Sequence, residues 1–348
     1  MVLVLGVSAG AGGARAVLTH SDQPHLPPID RCRVPRRAGG GVEEAVFEAI
    51  RQMRRSADRR DELITGTAVT CRCPLHADAI RAAAGYLPVT VVSETLAQLR
   101  YLRFTGRLPE DGTVLLYDLG SSGLTITHVD CRTDSVLSSR RSTVLGGDGF
   151  DALLRWQLAR DGVLTDKLSC RRHREALSTD RVVTAMDATS GGRAVLTRSD
   201  ITELCAAGIH HSVSFVHQTI ESTEAPPAAV VLLGGCTRSP SVQDMLAAAI
   251  DLPLIYDPEP ESVSARGAVL LATGRPAAEL RTTRARLGHL TTATVDRRKL
   301  IAALAVTATL GATIAGVLVM DRDTSSSQDG TSPTPAEMVG TPPASSFR

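Results

Sequence analysis

The chain has 348 residues, of which 43% are apolar, 22% charged and 3% aromatic, with 38 basic side chains against 37 acidic ones. This balance is typical of a globular protein with a sizeable core, large enough for two lobes or domains. A formal net charge of +1 gives no long-range attraction for polyanions, and few aromatic rings are available to stack on bases, which disfavours a nucleic-acid binder. Lys167 and Lys299 are the only lysines, so lysine-dependent chemistry has two candidate positions.

An apolar run at Val2 to Val7 predicts a first β-strand rather than a signal peptide, since no basic segment precedes it. The turn Gly10-Ala-Gly-Gly13 follows, and Ala14 to Leu18 predicts a second strand. The same arrangement recurs at Val114 to Tyr117, Gly120-Ser-Ser-Gly123 and Leu124 to Val129. This repetition predicts a duplicated domain with two hairpin turns whose backbone N–H groups face phosphates.

Between residues 1 and about 275, short apolar strands alternate with amphipathic helices, which indicates an α/β fold. Helices are predicted at Glu43 to Arg55, at Thr95 to Leu102 and from about Ser241, the last after a glycine turn at Gly234-Gly235. Cys71-Arg-Cys73 resembles a redox or metal pair, but no partner ligands lie at workable spacing, so strand packing is the preferred interpretation.

Two common phosphate motifs are excluded. A P-loop needs a lysine after its glycines, and none occurs before residue 167. A dinucleotide fingerprint needs a helix after its glycines, whereas Ala14 to Leu18 predicts a strand. A hairpin cradle of glycine and serine N–H groups remains.

The segment Leu300 to Met320 carries no charge and would rise about 30 Å as a helix, the thickness of a bilayer core. A buried helix of the globular part is the alternative. Basic residues cluster before this segment, while Asp321 and Asp323 follow it, which predicts a cytoplasmic N-terminal part and an exterior tail in the cell membrane. Small residues such as Gly311 and Ala315 could let two such helices form a homo-oligomer. The predicted organisation is 1–275 globular, 276–298 basic linker, 299–320 transmembrane helix and 321–348 disordered tail.

Six segments, in order, resemble the motifs of the Hsp70 nucleotide-binding domain, a member of the actin-like ATPase superfamily. They are Tyr117-Asp-Leu-Gly-Ser-Ser-Gly123, Leu145-Gly-Gly-Asp-Gly-Phe-Asp151, Cys170-Arg-Arg-His-Arg-Glu-Ala-Leu-Ser178, Leu196-Thr-Arg-Ser-Asp200, Val231-Leu-Leu-Gly-Gly-Cys-Thr-Arg-Ser-Pro240 and Asp257-Pro. The resemblance covers roughly residues 1–275. It implies a two-lobed, duplicated, ribonuclease H-like α/β fold with ATP or ADP and Mg²⁺ in the cleft between the lobes.

The resemblance also implies roles for two acidic residues. Asp118, at the end of a buried strand, would hold a Mg²⁺-bound water or orient the attacking water. The alternative is that it caps the turn. Glu94, after the N-cap candidate Ser93, would be the second acidic group of the cleft, or else it supports the start of a helix.

Further residues would contact the nucleotide. Arg174 and Ser178, four apart on a predicted helix, would share a face toward the adenosine, unless that face is simply solvated. The implied nucleotide-binding residues are Gly10, Gly120, Ser121, Ser122, Gly146, Gly147, Asp148, Arg174, Ser178, Gly234, Gly235, Arg238 and Asp257.

Several positions depart from the family pattern. Ser8 replaces an acidic residue that helps to hold the metal, and a neutral hydroxyl is a weaker Mg²⁺ ligand. The first-lobe subdomain that carries the family's catalytic lysine is short here and has no lysine. Arg171 and Glu175 stand where an acidic and a basic residue are usual. These departures favour nucleotide binding with weak or absent hydrolysis.

The sequence therefore predicts a membrane-anchored, Hsp70-like module that binds ATP or ADP, acts in a chaperone-like or regulatory way and meets a protein partner whose identity is open. No peptide-binding β-sandwich is expected after residue 275. The alternatives are a nucleotide-free actin-like scaffold at the cytoplasmic membrane face and, less favoured by the glycine motifs, a small-molecule kinase of the same superfamily.

Overall fold

The computed structural model describes residues 2–187 and 189–272. The chain divides into two units, Met1–Thr283 and Arg284–Arg348, and every described residue belongs to the first. The predicted linker, membrane helix and tail lie outside the described residues. Within the described part of the chain, no helix combines the length and apolar character that crossing a bilayer requires.

Two five-stranded sheets form the framework. The strands of the first are β1 (Val2–Gly10), β2 (Gly13–His20), β3 (Asp30–Pro35), β4 (Leu63–Cys71) and β5 (Thr90–Ser93), in the order β3-β2-β1-β4-β5. The strands of the second are β6 (Thr113–Leu119), β7 (Leu124–Asp130), β8 (Ser135–Ser142), β11 (Ala229–Leu233) and β12 (Leu254–Tyr256), in the order β12-β11-β6-β7-β8. A separate antiparallel pair is formed by β9 (Val182–Met186) and β10 (Arg193–Thr197).

The second sheet repeats the pairing of the first. In each, the first three strands form an antiparallel meander, the fourth strand pairs in parallel with the first, and the fifth pairs in parallel with the fourth. This mixed α/β architecture fits the expected two-lobed actin-like fold. Both predicted hairpins are present, with Gly10 opposite Gly13 and Leu119 opposite Leu124.

Eight helices are described in residues 2–187 and 189–272, and they differ between the two halves. They are α1 (Val42–Arg59), α2 (Pro74–Ala84), α3 (Glu94–Phe104), α4 (Gly147–Arg160), α5 (Lys167–Ala176), α6 (Arg198–Glu221), α7 (Pro240–Ala249) and α8 (Val263–Leu271). The first half places only α1 between its third and fourth strands. The second half places α4, α5, β9, β10 and α6 there, so only the second sheet carries a sizeable insertion.

Apolar periodicity explains how the helices pack. In α1, Val46, Ile50 and Met53 recur at the spacing of one helical face, and all three are buried against the first sheet. All seven residues of β6 are buried, because helices cover both faces of the second sheet. The Tyr117 hydroxyl of this strand donates to Ser212 Oγ of α6 at 2.8 Å, which satisfies the one polar atom of a fully buried ring.

Helices α3 and α8 cross between the two sheets at a point where only glycine fits. A Cβ on Gly267 of α8 would lie 1.8 Å from the backbone oxygen of Ala97 in α3. On its other side, α8 meets β1, where a Cβ on Gly6 would lie 2.1 Å from the backbone oxygen of Ala265. Because α3 packs with the core of the second sheet, this crossing joins the two halves.

We expect Gly267→Ala to lower the free energy of unfolding by about 1–3 kcal/mol, because the added methyl forces the two helices apart. Gly149→Ala is the matched control, since its Cβ would meet no atom within 4 Å and alanine favours a helix. Denaturant unfolding of the full chain measures both. Equal stability of the two variants would contradict the close crossing.

Candidate functional site

A cavity of about 540 Å³ lies where the central strands of the two sheets end. The first hairpin turn, at Gly10 to Gly13, and the second, at Gly120 to Gly123, both line it, and so do Gly234 and Gly235 from a third turn after β11. Ser8, Asp118, Glu94 and Arg174 also line it. The cavity thus brings together most of the residues that the sequence predicted to form a site.

The first turn lies close to the second at Gly12. A Cβ on Gly12 would lie 2.4 Å from Ser121 Oγ. Gly13 has a φ of +125°, and its Cβ would lie 2.1 Å from the backbone oxygen of Val34, so this position requires glycine. Ser8 is buried on β1 between Arg15 of β2 and Thr70 of β4.

The start of α4 supports the second turn from behind. Gly147 N donates to Gly120 O at 3.0 Å and Asp148 N donates to Ser121 O at 2.8 Å. A Cβ on Gly146 would lie 2.6 Å from Gly123 N. These three predicted binding residues are therefore in contact with the turn and are not among the residues that line the cavity.

The Arg72 guanidinium lies between the carboxylates of Asp118 and Glu94. Arg72 Nη2 is 2.5 Å from Asp118 Oδ2 and 2.9 Å from Glu94 Oε2, and Gln98 Nε2 donates to the same Asp118 oxygen at 2.8 Å. Burial raises the pKa of Glu94, and Asp118 adds to this effect while Arg72 opposes it. Burial alone would lower the pKa of Arg72, but the two carboxylates raise it, so Arg72 is a permanent cation. Ser264 Oγ donates to Glu94 at 3.2 Å.

The third turn closes the cavity next to Asp118. Gly234 has a φ of +85°, and its Cβ would lie 2.4 Å from the backbone oxygen of Leu119 and 2.6 Å from Asp118 Oδ1. The Arg238 guanidinium, outside the set of lining residues, pairs with Glu261 at 3.0 Å. Because β11 ends this close to β6, the central strand of the second sheet, only glycine fits at position 234.

Arg174 contributes a buried ion pair. Its Nε is 2.6 Å from Asp151 Oδ1, and both side chains are largely buried. Burial alone would lower the pKa of Arg174, but Cys236 and Asp151 raise it above its ordinary value. Ser178, predicted to share its helical face, lies beyond the end of α5 and does not line the cavity.

One predicted residue is occupied elsewhere. Asp257, buried after β12, pairs with Arg107 and accepts a hydrogen bond from Glu259 N at 2.8 Å. It is not among the lining residues of the cavity. Its carboxylate therefore stabilises the loop between β12 and α8.

Arginines other than Arg174 are the main feature that the sequence prediction did not include. Six arginines line the cavity, namely Arg15, Arg33, Arg72, Arg141, Arg171 and Arg174, against the four carboxylates of Glu94, Asp118, Glu175 and Glu261. The sequence does contain a pattern that indicates Arg72. A charged residue directly after an apolar run predicts the end of a strand, and the end of β4 lies beside the first turn. Arg72 was interpreted only as part of a cysteine pair.

An ion pair joins the first sheet to the second-half insertion across the cavity. Arg33 of β3 is 2.7 Å from Glu175 of α5, and Arg171 Nε is 2.9 Å from the other oxygen of Glu175. Burial alone would raise the pKa of Glu175, but hydrogen bonds from Arg33 and Arg171 lower it to about 2. Arg171 and Glu175, whose charges are the reverse of the family pattern, thus both take part in this ion-pair bridge.

The residues present do not fit a Mg²⁺ site. Mg²⁺ prefers carboxylate and water oxygens in octahedral geometry, and here Ser8 is neutral while Asp118 and Glu94 both bind Arg72. In residues 2–187 and 189–272, no three His, Cys, Asp or Glu side chains come together in a metal-binding group. The glycines of the two turns, in contrast, leave backbone without side chains beside the cavity, as an anion such as a polyphosphate requires.

No protein-family model matches the chain. It is similar to the chaperone protein HscA of Salmonella arizonae, 26% identical over 210 residues, which are 56% of this chain and 33% of the chaperone. The HscA homologs of Aeromonas hydrophila and Shewanella baltica are 27% and 28% identical over 58% and 47% of this chain, and over 35% and 29% of their own lengths. The matched region spans about a third of these relatives. This homology supports an Hsp70-type nucleotide-binding domain in the matched region.

The low pKa of Glu175 predicts a pH-dependent contribution to stability. A carboxyl with a depressed pKa stabilises the fold above its ordinary value of 4.5, and this stabilisation is lost as the pH falls to about 2. Glu175→Gln should therefore be less stable than the wild type at pH 7, with a difference that shrinks below pH 4.5. Denaturant midpoints across pH measure this, with Glu203→Gln on α6 as the control. A difference that does not change with pH would contradict the bridge.

Proposed function

We propose that the cleft binds ATP or ADP. The observation that carries this proposal is that two glycine turns line one cavity, where a Cβ on Gly12 would lie 2.4 Å from the Ser121 hydroxyl. Backbone N–H groups of such turns can point at phosphate oxygens without obstruction. The homology to HscA supports the same interpretation.

The size and charge of the cavity agree with a nucleotide. A volume of about 540 Å³ lies in the range of small-molecule sites, roughly 300–1,000 Å³. Six lining arginines against four carboxylates leave an excess of positive charge for a polyanion. Arg15 in particular is half-buried beside Gly235 at the third turn, and desolvation lowers its pKa below the ordinary value, a sign of a guanidinium that an incoming anion would stabilise.

We further propose that hydrolysis is weak or absent. An aspartate that orients an attacking water needs a free oxygen, whereas Asp118 Oδ2 already accepts hydrogen bonds from Arg72 and Gln98. Its second oxygen faces Gly234, where even a Cβ would lie only 2.6 Å away. One of the two carboxylate oxygens of Asp118 is therefore occupied by protein groups.

The proposed output is a change in the closure of the cleft that a protein partner senses. Arg33 and Glu175 come from opposite sides of the cavity, so a nucleotide that enters between them alters the distance between β3 and α5. We also propose that Leu300 to Met320, outside the described residues, anchors the protein in the cell membrane with the nucleotide cleft on the cytoplasmic side. The lack of charge in this segment and the arginines before it support this assignment.

Isothermal titration of the full chain with ATP and ADP tests nucleotide binding. Gly12→Val should weaken binding about tenfold or more, since a charge-assisted hydrogen bond contributes about 1.5–3 kcal/mol and the side chain blocks the space between the turns. Gly149→Ala, in open space on α4, should bind like the wild type. No heat of binding at millimolar nucleotide would refute the proposal.

Membrane anchoring is tested by fractionation of cells that express the full chain. We expect the protein in the membrane fraction, resistant to high salt and released by detergent, because the proposed contact is apolar. A variant with Leu310→Arg and Val317→Arg should move to the soluble fraction. Recovery of the wild-type chain in the soluble fraction would contradict the anchor.

A further inference from the structure

Arg72 occupies the place where the first sheet meets the two acidic residues of the cleft. It directly follows Cys71, the last residue of β4, and β4 runs parallel to β1, whose end carries the first glycine turn. Carboxyl ends of neighbouring parallel strands open onto the same edge of a sheet, which is where ligands bind in α/β folds. The guanidinium is thus delivered to the cavity by the pairing of β1 with β4.

Three side chains of other elements hold the Arg72 guanidinium. Its Nη2 lies 2.5 Å from Asp118 and 2.9 Å from Glu94, and its Nη1 donates to Thr125 Oγ1 at 2.6 Å. Asp118 and Thr125 are directly paired across β6 and β7, so the second hairpin presents both acceptors together. The Arg72 side chain is 34% exposed and lines the cavity, so part of its donor set still faces the space between the turns.

The position of this cation competes with a divalent metal. A metal ion bound by Asp118 and Glu94 would need the carboxylate oxygens that already accept from Arg72, and it would lie next to a permanent positive charge. Ser8 adds only a neutral hydroxyl on the other wall. A guanidinium, in contrast, carries a fixed charge and donates charge-assisted hydrogen bonds to a phosphate.

We propose that Arg72 is the built-in cation of the nucleotide site, and that the cleft binds ATP or ADP without a divalent metal. This inference rests on the proposed nucleotide binding. Asp118 and Glu94 then position Arg72 rather than a hydrated Mg²⁺, and Arg72 contacts the phosphates between the two turns. Arg141 supports the same wall, since it donates to Ser122 Oγ at 2.7 Å and to Thr125 Oγ1 at 3.2 Å.

Titration of the full chain with ADP and ATP, once with Mg²⁺ and once with EDTA, tests the inference. We expect the two dissociation constants to agree within about threefold, because the charge that neutralises the phosphates belongs to the protein. Binding that requires Mg²⁺ would overturn the inference but leave nucleotide binding intact. Absence of binding under both conditions would overturn the proposed function and the inference together.

Two substitutions distinguish the contribution of the Arg72 charge to nucleotide affinity from that of the guanidinium geometry. Arg72→Ala should lose about tenfold or more in affinity in EDTA and regain part of it with Mg²⁺, because Asp118 and Glu94 become free to bind the metal. Arg72→Lys keeps the charge without the planar guanidinium and should bind with intermediate affinity in EDTA. Arg51→Ala, on the exposed face of α1, removes the same charge away from the cavity and should leave both constants unchanged.

The same variants can also contradict the inference. An Arg72→Ala chain that binds as tightly as the wild type in EDTA would show that Arg72 does not contact the phosphates. If Arg72→Ala does not fold, as circular dichroism would show, the wild-type comparison in Mg²⁺ and EDTA and the Arg72→Lys variant still decide the question.

Discussion

The close approach of two backbone turns is the constraint on which the rest of this molecule depends. A Cβ added to Gly12 would lie 2.4 Å from the Ser121 hydroxyl, which would have to move. This approach requires that the two sheets end at the same place, and the crossing of α3 with α8 at Gly267 fixes them there. Each half of the molecule supplies one turn, so the cavity needs both halves.

The charge arrangement of the cleft follows from the same geometry. The sequence is nearly neutral as a whole, but six of its arginines converge on one cavity. Most of them are already paired, as Arg174 is with Asp151 and Arg72 is with Asp118, and such pairs hold the side chains in fixed positions. A ligand then meets preorganised donors, which reduces the entropy lost on binding.

Local patterns made much of the fold predictable from the sequence. The repeated strand, glycine turn and strand placed both hairpins correctly, because the periodicity of a strand and the requirement for glycine at a turn are properties of a few neighbouring residues. The helix at Glu94 was equally accessible, and Asp118 and Glu94 do lie together at the cavity.

Contacts between distant segments were not predictable in this way. Arg72 reaches Asp118 only because β4 pairs with β1 and β6 ends opposite them, and no spacing in the sequence encodes that meeting. The partner of Asp257 is Arg107, which is 150 positions away. Ser178 fell outside the predicted face because α5 ends at Ala176, and helix ends depend on tertiary packing as much as on local sequence.

The ion pair between Arg33 and Glu175 has a kinetic consequence. It spans the cavity between β3 and α5, and only one half of the molecule carries an insertion that can form such a bridge. A ligand enclosed behind it leaves only when the bridge opens, so the residence time depends on the frequency of that opening, whereas the affinity depends on the turns and the arginines. A partner protein that competes for Arg33 or Glu175 would accelerate exchange without touching the ligand.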